Sequence, residues 1–332
     1  MVVVHIPDGD ETGGRAMTFI ETRIKDLHAH FPDLNVPKDL DAFWTDVLAE
    51  TRRKPLSGTR QAMDTPLLGV AAYEVVYLGI DGTPIHGNYL VPEFLGKERY
   101  PCIVQYHGYT GSRGMPENFA HYLLSGLAVF SIDVRGQGGA TGDLAPLEGG
   151  QVKGWVTRGI TDPHKSYYKS YITDAIRAID WVLEQPEIDP ARVGVAGGSQ
   201  GGGLALIVSA VGGRHSFAVA DIPNLCYLDW AVFNTTGSLT EIADYIGRYP
   251  DQMETVLNTI SYFDNAVLAD RIKIPVLVSV GLKDTVCPPE AVFAAYNRIQ
   301  SQKQIEIFPS HAHATGPKHV RTVLEFIRRQ VF

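Results

Sequence analysis

The chain is predicted to be an α/β protein with a mostly parallel central sheet covered by helices on both faces. Three observations predict this. Two apolar runs, Tyr73–Leu78 and Ile85–Val91, flank the turn dipeptide Asp81-Gly82 and read as a hairpin. After them, short apolar runs alternate with helical stripes. The runs are Cys102–Tyr106, Leu127–Val134, Arg192–Ala196, Ala218–Ile222, Pro275–Val280 and Gln304–Phe308. One stripe is Ile172, Ala175, Ile176, Ile179, Val182 and Leu183; another is Val320, Val323, Leu324, Ile327 and Val331. Finally, several runs end in glycine turns: His107-Gly108, Arg135-Gly136 and Gly197-Gly198. In open parallel sheets ligands bind at the carboxyl ends of strands, so the chemistry belongs in those turns.

The elements follow in order. Residues 16–30 and 39–53 read as helices, separated by Pro32 and Pro37. In the second, Leu40, Phe43, Trp44, Val47 and Leu48 recur at helical spacing, and Phe43-Trp44 is read as core packing. Two stretches look inserted: Gly136–Ser170, rich in Gly and Pro, and Pro223–Asp264, rich in aromatics. Either is expected to form a lid or a subunit contact. The expected organisation is one domain over residues 1–332, with a helical extension at about 16–53 and these insertions.

Composition narrows the function. There are 37 acidic and 29 basic side chains, a formal charge of -8, which disfavours a protein that must neutralise phosphates. The short cluster Arg52, Arg53, Lys54 sits in a polar linker. No run of about 18 apolar residues exists to span a bilayer. The beginning, Val2-Val3-Val4 followed by His5, Pro7, Asp8 and Asp10, lacks the basic region and longer apolar core of a secretory signal. Cys102, Cys226 and Cys287 are far apart and odd in number, so buried free thiols in a cytoplasmic protein are expected. No repeat suggests a solenoid or propeller.

The strongest chemical signal is Gly197-Gly198-Ser199-Gln200-Gly201, a G-x-S-x-G pentapeptide. Its weight comes from context. Arg192–Ala196 reads as a strand before it, and Leu204-Ala205-Leu206-Ile207-Val208 as a helix after it, the setting of a nucleophile elbow. A phosphate loop would end in Gly-Lys-Ser/Thr, which is absent. The dinucleotide-like run Gly136-Gln137-Gly138-Gly139-Ala140-Thr141 misses its last glycine.

A serine hydroxyl needs a base near neutral pH. After the last predicted strand, His311 and His313 compete for that role; as a His-x-His pair they lack an evident third metal ligand. Asp284 directly follows an earlier strand and is well placed as the acid that holds the imidazole tautomer. Its competing reading is a loop aspartate capping the helix near Pro288, and Asp221 is the rival acid. The oxyanion donors are expected to be the backbone N–H groups of Gln200 and of Tyr109, in the loop His107-Gly108-Tyr109-Thr110-Gly111. The Tyr109 ring is expected to line the acyl pocket.

With these motifs in order, the sequence resembles carbohydrate esterase family 7, the acetyl xylan esterases and cephalosporin C deacetylases of the α/β-hydrolase superfamily. The resemblance rests on Arg135-Gly136-Gln137, on Gly197-Gly198-Ser199-Gln200-Gly201-Gly202 and on the late His313. Thr157-Arg158-Gly159-Ile160, Asp162-Pro163, Tyr167-Tyr168 and the early Asp41-Ala42-Phe43-Trp44 extend it over nearly the whole chain. It favours His313 over His311 as the base. One departure is Ala314, where the family's His-Glu pair has glutamate; that glutamate is outside the triad. The resemblance implies a Ser199–His313–Asp284 esterase removing acetyl groups from sugars and cephalosporin C, with Arg135 and Gln137 as structural supports. It also implies a hexamer. Neither metal nor organic cofactor is expected, and the partner is a small acetyl ester rather than nucleic acid or membrane. The alternative is a carboxylesterase or acyl-peptidase on the same fold.

Overall fold

The protein is described by a computed structural model covering residues 17–147, 151 and 154–332. Residues 1–10, read above for a secretory signal, and the first residue of the helix expected at 16–30 lie outside the described residues, as does part of the insertion expected at 136–170.

Two helices open the chain: α1 (Phe19–His28) and α2 (Leu40–Arg53). Thr18 caps α1 in a capping box with Glu21, which satisfies amides the helix leaves open. Strands β1 (Thr59–Ala62), β2 (Ala71–Leu78), β3 (Pro84–Val91) and β4 (Tyr100–Tyr106) follow, then α3 (Ala120–Leu124) and β5 (Ala128–Ile132). Helix α4 (Tyr167–Leu183), strand β6 (Ile188–Gly198), helix α5 (Gln200–Val211) and strand β7 (Phe217–Asp221) form the centre. Helices α6 (Leu228–Asn234), α7 (Thr240–Arg248), α8 (Met253–Ser261) and α9 (Asn265–Leu268) lead to β8 (Val276–Gly281). Helix α10 (Pro289–Tyr296), strand β9 (Lys303–Phe308) and helix α11 (His319–Val331) complete the fold.

Among the described residues the strands form one nine-stranded sheet in the order β1-β2-β3-β5-β4-β6-β7-β8-β9. The segment from β5 to β9 is parallel, and the edge β1-β2-β3 is antiparallel, with β2 and β3 joined through the Asp81-Gly82 turn. This is the α/β-hydrolase arrangement. The period of two along the strands divides the core. Ile103, Val129, Phe217, Val219 and Leu277 pack under α3 and α11. Their neighbours Cys102, Val104, Phe130, Val195, Ala218 and Val278 face the layer that contains α4, α5 and α10.

The structure corrects some details of the sequence reading. Strand β1 is polar and exposed along its length, so no apolar pattern marks it. In α11 the buried stripe is Val323, Phe326, Ile327 and Val331, while Val320 is 52% exposed. Phe326 joins the inward face, while Val320 lies in the first turn of the helix, at its exposed end. The segment expected as the insertion 223–264 carries α6, α7 and α8, helices of only 7, 9 and 9 residues, too short to show more than two or three turns of a period. The stretch expected at 136–170 ends earlier, because Ser166 caps α4.

Candidate active site

Ser199 sits between β6 and α5 with φ 57° and ψ -118°, a region side chains other than glycine rarely adopt. The surroundings hold it there. Its N–H donates to the carbonyl of Asp221 at 2.9 Å, and its carbonyl accepts from Gly203 at 3.0 Å and Asn224 at 2.9 Å. A Cβ on Gly201 would lie 2.1 Å from the carbonyl oxygen of Tyr106, and one on Gly202 2.7 Å from that of Asp221. Only glycine lets α5 approach the ends of β4 and β7 this closely. The G-x-S-x-G glycines are thus packing requirements of the elbow.

Asp284 follows β8, and His313 lies in the loop between β9 and α11. Nδ1 of His313 is 2.7 Å from Oδ2 of Asp284. The other oxygen, Oδ1, accepts from the N–H groups of Val286 at 2.8 Å and Cys287 at 2.9 Å. The aspartate organises the turn before α10 and meets the histidine; the helix cap is Pro288, which has no side-chain cap hydrogen bond, so Asp284 does not cap α10. Asp221, the rival acid, pairs with His319 instead. The His311 ring turns toward Ser310, at 3.3 Å, and toward the Phe308 ring. Its carbonyl accepts from Lys283 N–H, which ties the histidine loop to the aspartate loop.

Cys287 joins this group. The Ser199 side chain lies close enough to its thiol to act against the upward push of burial on the thiol pKa. Donor atoms of Asp284, Cys287 and His313 all lie within 4.8 Å of one another. Burial, with the charge of Asp284 added, pushes the thiol pKa well above its ordinary value. Cys287 is a buried free thiol, and its place three residues after Asp284 is the sequence signal that brings it to the site. All three cysteines are free and buried.

The loop after β4 runs along the serine. The position a Cβ would take on Gly108 is 3.7 Å from Cβ of Ser199 and 3.6 Å from the carbonyl oxygen of Gly198. The N–H of Tyr109 has no acceptor among the described residues. The N–H of Gln200 is the first of α5, where no intrahelical carbonyl is available. His107 braces the loop base: Nε2 accepts from Val134 N–H at 2.8 Å, so Nδ1 carries the proton and donates to Gly108 O at 2.7 Å. Burial lowers its pKa and keeps the ring neutral in this role. The Tyr109 hydroxyl donates to Oε2 of Glu241 in α7 at 2.8 Å, and its ring meets Trp155 edge-on. Sequence patterns carried no sign of Glu241, because α7 comes from the inserted segment.

Gln137 connects the two expected oxyanion donors. Its Oε1 accepts from Thr110 N–H at 2.9 Å, next to Tyr109, and its Nε2 donates to Oε1 of Gln200 at 2.9 Å and to Tyr167 at 3.0 Å. Arg135 is fully buried. It binds Asp174 of α4 through two hydrogen bonds, Asp81 of the β2–β3 turn through two, and Asp143 through one. Burial pushes the Asp81 carboxyl up, but the hydrogen bond and charge of Arg135 prevail and hold it at about 2. The same burial raises Asp174, which has no solvent to share. Arg135 fastens α4 and the hairpin turn to the end of β5.

Comparisons with known proteins agree with this architecture. Residues 17–330 match the family model for acetyl xylan esterase. The chain is 27% identical over 302 residues to the acetyl esterase Axe7A of Xylanibacter ruminicola, covering 89% of this chain and 67% of that protein. The structure superposes on an acetyl xylan esterase from Paenibacillus sp. R4 with a TM-score of 0.89 and 39% identity, covering 92% of this chain and 99% of the other. It also superposes on acetyl xylan esterase 1 from Thermoanaerobacterium sp. JW/SL YS485, with a TM-score of 0.87, 31% identity and coverage of 93% and 99%. A strained serine elbow beside a histidine–carboxylate pair, on a sheet that superposes this closely, leads to one conclusion: the chain belongs to the acetyl xylan esterase family and is a carboxylic ester hydrolase that acts on acetyl esters.

Proposed function

We propose that Ser199, His313 and Asp284 carry this hydrolysis through an acetyl-serine intermediate. The observation that carries the reading is the 2.7 Å contact between Asp284 and Nδ1 of His313. It leaves Nε2 of His313 as the base. Ser199 Oγ attacks the acetyl carbonyl as His313 takes its proton. The tetrahedral oxyanion rests on the N–H groups of Tyr109 and Gln200. When it collapses, the C–O bond to the alcohol breaks and His313 returns the proton to the leaving oxygen. Water then attacks the acetyl-enzyme by the same route and releases acetate. Arg135 and Gln137 act as supports, and Gln137 holds both oxyanion segments together.

The substrates proposed are acetylated sugars and xylo-oligosaccharides, supported by the names of the similar proteins, together with cephalosporin C-like esters, supported by the family resemblance. The chain is read as one domain with a helical extension and two insertions, supported by the continuous sheet. A homo-oligomer rests on the same resemblance, and a cytoplasmic location on three buried, unpaired thiols. No helix among the described residues is long and apolar enough to cross a membrane. The deciding experiment is hydrolysis of p-nitrophenyl esters by wild type and Ser199→Ala. Ser199→Ala is expected to lose turnover, and wild type to lose activity steeply beyond short acyl chains. A Ser199→Ala protein with the wild-type rate overturns the assignment.

A further inference from the structure

His319, the first residue of α11, is a second histidine held by carboxylates, and the proposed reaction makes no direct use of it. It is 3% exposed. Its Nδ1 lies 2.7 Å from Oε2 of Glu306, and its Nε2 lies 2.6 Å from Oδ1 of Asp221. Ionised carboxylates only accept hydrogen bonds, so both ring nitrogens must carry protons and the ring is an imidazolium. Burial opposes that charge, but the hydrogen bonds and charges of Asp221 and Glu306 outweigh it and raise the histidine pKa.

The clamp is built into the sheet. Asp221 of β7 pairs in register with Ser279 of β8, and Ser279 pairs with Glu306 of β9. The three side chains form a row across neighbouring strands, and Ser279 Oγ donates to Asp221 Oδ1 at 3.1 Å. His319 closes the row from above, with the Phe308 ring edge-on against it. Tyr122 of α3 faces Asp221 from the neighbouring helix. Lys318 precedes His319 at the exposed helix cap.

Two connections lead from the clamp to the reacting groups. The carbonyl of Asp221 accepts the N–H of Ser199. Glu306 near the end of β9 and His319 at the start of α11 bracket the loop that contains His313. We propose that His319 is a positioning residue of the reaction: clamped between Asp221 and Glu306, it fastens the loop carrying His313 to the strand end that holds Ser199. This rests on the reading of Ser199 and His313 as nucleophile and base. Misplacing reacting groups by about 1 Å can cost about 10²-fold in rate, so loss of the clamp is read in turnover rather than in binding.

The test compares wild type, His319→Gln and Glu306→Gln by p-nitrophenyl acetate kinetics and by the rate at which a fluorophosphonate labels Ser199. His319→Gln is expected to lower kcat about 10- to 100-fold, with KM nearly unchanged and labelling slowed in parallel. In Glu306→Gln, His319 keeps one carboxylate and its pKa falls. Its proton is then lost at a lower pH than in wild type, so the descending limb of the kcat profile moves down in pH relative to wild type. Should His319→Gln fail to fold, the Glu306→Gln profile decides. Labelling that occurs in wild type and proceeds at the same rate in the variants, with unchanged kcat and pH profile, overturns the clamp alone. Absence of labelling in wild type overturns the nucleophile reading and the clamp with it.

Discussion

Asp284 divides its two oxygens: Oδ2 meets Nδ1 of His313 at 2.7 Å, while Oδ1 takes the amides of Val286 and Cys287. The two amides fix which oxygen faces the histidine. In Asp284→Asn the side-chain oxygen stays with those amides, and the NH₂ group faces His313. The ring then favours the tautomer with its proton on Nε2, which cannot accept from Ser199. Turnover of p-nitrophenyl acetate is expected to fall about 10⁴-fold, with KM changed little. A loss under about tenfold contradicts the role given to Asp284.

Gln137 holds Thr110 and Gln200 from one amide group. Gln137→Leu leaves both partners without this brace and lets the proposed oxyanion donors drift apart. A single lost donor typically costs about 10²–10³ in kcat, so a partial displacement is expected to cost about tenfold or more. Steady-state kinetics check this, with KM near wild type. Equal losses in Gln137→Leu and in a surface variant of the same stability speak against it.

Arg135 is buried among Asp174, Asp81 and Asp143. Arg135→Met leaves buried carboxylates without their partner, and the expected loss of stability is about 3–5 kcal/mol. Urea unfolding measures it. The loss is expected in stability first, and any folded fraction should still label at Ser199.

The Asp81 carboxyl, held at about 2 against an ordinary 3.8, has a depressed folded pKa. Its stabilising contribution is complete above its unfolded pKa and is lost as pH falls through the range from about 4 to about 2. Asp81→Asn should therefore flatten the stability curve in that window and leave its slope above pH 5 unchanged. Unfolding curves at stepped pH read this directly.

The thiols of Cys102, Cys226 and Cys287 are buried, and burial pushes all three pKa values up. Thiolate is the reactive form, so the native protein is expected to resist a disulfide reagent. Ellman titration should find almost no reactive thiol in the native protein and all three in urea. Rapid native reaction at Cys287, with loss of turnover, would show that the pocket beside Ser199 opens more than the structure indicates.

Much of the site was legible in the sequence because its positions follow from chain order. Ser199, Asp284 and His313 each occupy a turn after a strand, and a parallel sheet collects such turns at one edge. Tyr109 and Gln200 follow from the same rule. The choice of His313 over His311 depended on family resemblance, since two histidines two residues apart in a loop have no periodicity to separate them. The contact with Asp284 agrees with that choice.

The local order of residues determined the apolar strands, the elbow and the loops that carry chemistry, because hydrophobic period and glycine placement act over a few neighbours. Only the tertiary structure decided which carboxylate meets which histidine. Asp284 and Asp221 both end near strand termini, yet one pairs with His313 and the other with His319. It also decided that Cys287 lies beside Ser199 and that Glu241 tethers Tyr109 across 132 positions. These contacts join residues from separate strands and from the inserted helices. Their partners are selected by sheet order and register, which a run of neighbouring residues does not encode.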